Sequence, residues 1–142
     1  MTVDRELVTR KLLLLTQDLA AVAPFASVAA FLDNRFDQAV VERMLERMIG
    51  RMIDVNYHLI TESGQPPPPD YHASFLKLAD LGIVDHEFAR GIARCAGLRN
   101  RLVHEYEEID PHKVFESLQA ARDDIVTYVQ RVEAYLDGLF GR

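Results

Sequence analysis

The chain has 142 residues, 49% hydrophobic and 27% charged, with a net charge of −6, the size and balance of one globular domain that can bury its own core. One cysteine, Cys95, excludes an intramolecular disulfide. The acidic balance argues against broad electrostatic binding of a polyanion, so any nucleic-acid contact must come from a local basic cluster.

The first residues, Met1-Thr2-Val3-Asp4-Arg5-Glu6, carry charges of both signs. The apolar run Leu12-Leu13-Leu14-Leu15 is too short for a signal-peptide core or a membrane span, so a cytoplasmic location is expected. Asp4 is placed to cap a first helix in which Leu7, Leu14, Leu15, Leu19 and Val22 recur at helical spacing, with Pro24 as its end. The small apolar segment from Phe25 to Phe31 precedes the polar break Asp33-Asn34.

A long second helix is predicted from about Phe36 to Ile60. Its rows Val40–Met44–Met48–Met52 and Val41–Leu45–Ile49–Ile53 form a broad apolar stripe. Arg43, Arg47 and Arg51 run parallel to it as a basic row, expected as a solvated flank, with a partner subunit or RNA as the alternative. Gly50 costs about 1 kcal/mol relative to Ala in a helix interior and points to close packing against another helix. Pro66-Pro67-Pro68-Pro69 then imposes a stiff extended spacer.

A short third helix, about His72 to Leu81, is stopped by Gly82. Asp85 caps a fourth, whose apolar side carries Phe88, Ile92, Cys95, Leu98, Leu102 and Val103. Asp110-Pro111 opens a fifth that runs to about Phe140, with Val114, Leu118, Ile125, Val129, Val132, Leu136 and Leu139 as its seam. No strand pattern or internal repeat stands out. The expectation is an all-α, up-and-down bundle of four to five helices, with residues 1–142 as a single domain.

The segment Arg99-Asn100-Arg101-Leu102-Val103-His104-Glu105-Tyr106 concentrates the chemistry. An arginine fork binds phosphate oxygens through paired hydrogen bonds, and a histidine exchanges protons near neutral pH. Asn100 and His104 lie one helical turn apart on a shared face, whereas Arg99 and His104 differ by about 140° and flank a groove lined by Leu102 and Val103. Arg90, Arg94, Arg99 and Arg101, with Lys113 as an addition, are the candidate RNA contacts, and Arg90, Arg94 and Arg101 are spaced to sit together; Glu105, Glu107, Glu108 and Asp110 oppose them. Spacing alone favours an ordinary alternative, in which Arg99 pairs with a carboxylate and His104 closes a helix C-terminus.

Elsewhere, Asp54 and His58 share a helix face but lack the further ligands a metal site requires, and a structural hydrogen bond is expected. Glu108 and His112 straddle Pro111, and Cys95 has no base beside it. No metal or cofactor is expected.

The Arg-x4-His-x-Tyr pattern of Arg99, His104 and Tyr106, with Asn100 after the arginine, resembles the signature of HepT-like toxins in the HEPN superfamily of ribonucleases. Residues Phe75 to Val84, Gly97-Leu98, Ile109-Asp110 and Met52 to His58 extend the likeness to about half the chain. The resemblance implies a metal-independent endoribonuclease, the toxin of a type VII toxin–antitoxin pair, acting as a homodimer. One motif histidine per chain fits that assembly, because attack by a 2′-hydroxyl is helped by one proton acceptor and one donor. Carried onto this chain, His104 is base or acid, Arg99 neutralises charge at phosphorus, and Asn100 orients the phosphate or the imidazole. Tyr106 corresponds to the tyrosine that an MNT-type nucleotidyltransferase antitoxin modifies with AMP, placing negative charge against Arg99. The alternative is a catalytically weak helical module that binds a nucleotide or a partner.

Overall fold

The computed structural model describes residues 2–27, 29–104 and 109–141, among which six α-helices and two 3-10 segments account for the regular structure. They are α1 (Arg5–Val22), α2 (Arg35–Glu62), α3 (Tyr71–Asp80), α4 (His86–Ile92), α5 (Arg94–His104) and α6 (Pro111–Phe140). The 3-10 turns, Ala23–Ser27 and Ala29–Asp33, link α1 to α2. The fold is an all-α bundle.

Local signals set the starts. Asp4, Asn34, Asp70, Asp85 and Asp110 each accept a hydrogen bond from a backbone N–H in the first turn of the following helix. Gly82, at φ +76°, ends α3 in the left-handed region, and the Ile83 amide closes back on the Leu78 carbonyl at 3.0 Å. The proline run is non-helical and lies along α3, forming a shallow cleft with Ala73, Leu76, Lys77 and Asp80.

α2 is the central element, packed by α1, α3, α5 and α6. Its buried stripe is Val41, Leu45, Met48, Ile49, Met52, Ile53, Leu59 and Ile60; Val40, expected within that stripe, is 52% exposed and Met44 is half-buried. α1 buries Val8, Leu12, Leu15, Leu19 and Val22, while Leu7 stays exposed and Leu14 half-buried. Its leucine-rich sequence offers two apolar faces, and docking against both α2 and α6 selects the Val8–Leu12–Leu15 face. On α6 the expected seam is buried at Val114, Leu118, Ile125, Val132 and Leu136, but Val129 is half-buried, with Tyr128 in the buried position beside it, and Leu139 is exposed in the last turn.

The predicted fourth helix is two helices, broken at Ala93. Ala89, Ile92, Ala93, Cys95, Ala96, Leu98 and Leu102 are all buried, too wide a set for one face of a straight helix. The bend lets α4 pack on α3 and α5 on α2. Gly50 also departs from expectation: a Cβ there would meet no atom within 4 Å, so no close helix approach requires the glycine.

The arginine row is only partly solvated. Arg51 and Arg47 of α2 both reach Asp18 of α1, which is 9% exposed, while Arg43 pairs with Glu46 at 3.0 Å. Asp54 pairs with Lys11 at 3.2 Å, and His58 Nε2 accepts from the Asp4 amide at 2.9 Å. That pair therefore joins α1 to α2 by separate structural contacts. No helix among the described residues is long and apolar enough to cross a membrane.

Candidate active site

α5 presents three chemically distinct sides. Leu98 and Leu102 face inward. Arg99 and Val103 lie half-buried on one flank, Arg94 and Arg101 line the other, and Asn100 and His104 are exposed together on the outer face.

On the first flank the Arg99 guanidinium sits over the ring of Tyr71, with Cζ 5.2 Å from the ring centroid. This is a cation–π geometry, in which the electron-rich face attracts the cation. Tyr71 meets Tyr57 edge to face, with centroids 6.1 Å apart and planes at 86°. The Tyr57 hydroxyl donates to the Pro68 carbonyl at 3.4 Å, and burial, with Tyr71 and Asp70 nearby, pushes its pKa up and keeps it a donor. Among the described residues no carboxylate pairs with Arg99.

On the other flank α5 is set back from α6, leaving a cleft of about 340 Å³ bordered by Arg94, Arg101, Glu116, Ser117 and Asp124. An adjoining cleft of about 380 Å³ adds Ile109, Asp110 and Lys113. Cations and carboxylates both line these clefts. Burial and neighbouring Asp123 push the Asp124 carboxyl up, against the opposing pull of Arg94. A third cleft, about 330 Å³, lies between α2 and α5, lined by Ala39, Glu42, Arg43, Glu46 and Leu102.

These placements qualify the sequence expectations. Asn100 and His104 do share a face, but the groove expected between Arg99 and His104 is not one of these clefts: Leu102 lines the α2/α5 cleft, which Arg99, Val103 and His104 do not border. Arg94, Arg101 and Lys113 border the α5/α6 clefts, whereas Arg90 belongs to α4, beyond the bend, and lines neither. Arg99 and His104 do not converge on one of these clefts within a single chain; Arg99 rests on Tyr71 and His104 points outward. Tyr106, with Glu105, Glu107 and Glu108, lies outside the described residues. Cys95 is buried, and desolvation pushes its thiol up to about 12, leaving it unsuited to nucleophilic chemistry. No three His, Cys, Asp or Glu residues gather into a metal-binding group among the described residues. Tyr71 is the participant that sequence reasoning missed, since no periodicity links it to Arg99.

Comparison with known proteins identifies the family. Residues 15–132 match the family model described as ribonuclease HepT-like. The chain is 34% identical over 110 residues to the tRNA nuclease HepT of Aphanizomenon flos-aquae, covering 78% of this chain and 75% of that protein. The fold resembles that of YutE, a cytosolic protein of Bacillus subtilis, with a TM-score of 0.87 and 18% identity across 99% of this chain and 95% of that one. It also resembles the tri-AMPylated HEPN toxin of Shewanella oneidensis solved in complex with its MNT antitoxin, with a TM-score of 0.84 and 20% identity, covering 92% and 99% of the two chains. By the extent of the family match and the identity to a relative of similar length, the chain belongs to the HepT-like ribonuclease family.

Proposed function

We propose that this protein is a metal-independent endoribonuclease, the toxin of a type VII HEPN/MNT toxin–antitoxin pair, and that residues 1–142 form one HEPN-like domain working as a cytoplasmic homodimer. The observation that carries the proposal is an exposed His104, one turn from Asn100, on the solvent side of α5 in a chain of this family. Among the described residues of α5, no second proton-transfer group lies beside the exposed imidazole. A two-fold related copy supplies one. The apolar residues Phe36, 85% exposed, and Val40, 52% exposed, stand near the α2/α5 cleft floored by Leu102 and provide surface for such a copy to cover.

In the resulting cleft one His104 takes the proton of the RNA 2′-hydroxyl as that oxygen bonds to phosphorus. The other gives a proton to the departing 5′-oxygen, yielding a 2′,3′-cyclic phosphate and a 5′-hydroxyl. Arg99 stabilises the charge that develops on the phosphoryl oxygens, and Asn100 orients the phosphate or the ring. Arg94 and Arg101 hold flanking phosphates of the RNA. AMP attached to Tyr106 by an MNT-type nucleotidyltransferase fills the cleft with negative charge and blocks the substrate.

The test is cleavage of RNA by the purified protein in EDTA. His104→Ala and Arg99→Ala are each expected to abolish cleavage and growth inhibition while retaining the helical circular-dichroism spectrum. Full activity in either variant, or loss of activity on chelation, defeats this mechanism. A second possibility, a catalytically weak nucleotide- or partner-binding module, is favoured by the mixed charge of the α5/α6 cleft and the net charge of −6. It predicts no RNA cleavage by the wild-type dimer.

A further inference from the structure

We infer that Tyr71 is the positioning residue for Arg99: its ring face holds the guanidinium in place while leaving the in-plane N–H donors for a phosphate. The inference rests on the role proposed above for Arg99. A carboxylate partner would occupy those donors and cancel the charge, because arginine and carboxylate pair fork to fork. An aromatic face attracts the cation through its quadrupole and uses none of them. Arg99 has the second kind of partner, at 5.2 Å, and none of the first among the described residues.

The ring is itself anchored. Tyr71 is the first residue of α3, directly after the capping Asp70, whose side chain accepts from the Ala73 amide at 2.7 Å. The Tyr71 carbonyl accepts from Ser74 Oγ at 2.7 Å, and Ser74 Oγ accepts from Asn56 Nδ2 at 3.1 Å. Ser74 and Asn56 are both fully buried. Tyr57 braces the ring edge-on. The position of Arg99 is thus referred, through Tyr71, to the core between α2 and α3. A cation held this way loses less rotamer freedom when the pentacoordinate phosphorus forms, so the gain falls on the chemical step more than on binding.

The experiment measures kcat and KM for cleavage of an RNA oligonucleotide by Tyr71→Phe, Tyr71→Leu, Tyr71→Gln and Arg99→Ala, each checked for helical content. Arginine side-chain NMR records the Arg99 Hε resonance of the wild type and the Tyr71 variants. The ring-retaining Tyr71→Phe is expected to keep kcat and the Hε shift. Tyr71→Leu and Tyr71→Gln are expected to lose kcat by about 3- to 30-fold at nearly constant KM, with the ring-current shift of Hε lost. An unmoved Hε in both ring-less variants, or wild-type kcat in them beside an inactive Arg99→Ala, overturns the role of Tyr71 and leaves the ribonuclease mechanism standing. An active Arg99→Ala instead removes the mechanism itself.

Discussion

The Tyr128 hydroxyl of α6 donates a 2.6 Å hydrogen bond to Asn56 Oδ1 of α2, and both side chains are fully buried. The Met52 carbonyl lies 3.1 Å from the same hydroxyl, and Asn56 passes the network on to Ser74 of α3. Three helices are therefore pinned at one point of an otherwise apolar core. Among the described residues no buried side-chain nitrogen or oxygen lacks a partner, consistent with the high cost of an orphaned polar atom in a dry interior.

Tyr128→Phe removes the donor and strands the Asn56 carbonyl. The expected loss is about 1–3 kcal/mol, read as a lower urea midpoint at unchanged m-value. An unchanged midpoint would mean that water or a rearranged Asn56 replaces the bond.

Gly50→Ala is expected to stabilise the fold by about 0.5–1 kcal/mol, because the glycine sits in the interior of α2 and an added methyl meets nothing within 4 Å. Thermal unfolding checks it. A lower melting temperature would show that the dimer or a partner packs against that point of α2.

Cys95 makes a pH prediction. In the folded chain burial, with Asp124 nearby, pushes the thiol up to about 12, whereas in the unfolded chain it titrates near its ordinary value of 9.0. The unfolded state therefore releases its proton first as the pH rises. The stability contribution is intact below about 9 and is lost progressively towards 12. Tyr128, whose hydroxyl burial also pushes up, acts in the same direction. Cys95→Ala should flatten the decline between these values, and native Cys95 should resist iodoacetamide until urea unfolds the protein. Rapid alkylation of the native thiol would contradict its placement.

The caps Asp4, Asp85 and Asp110, the Gly82 stop and the non-helical proline run were legible because each acts within a few residues along the chain. The same holds for the shared face of Asn100 and His104, which the helical repeat alone dictates. The bend at Ala93, the choice between the leucine faces of α1 and the capture of Asp18 by Arg47 and Arg51 were not, since each follows from which neighbour an element packs against. Local order, then, was written in the sequence by itself, through side chains acting on their own backbone. Tertiary structure decided what each helix buries and what Arg99 meets: the ring of Tyr71 comes to it only when α3 and α5 pack together, a consequence of core burial that no spacing encodes.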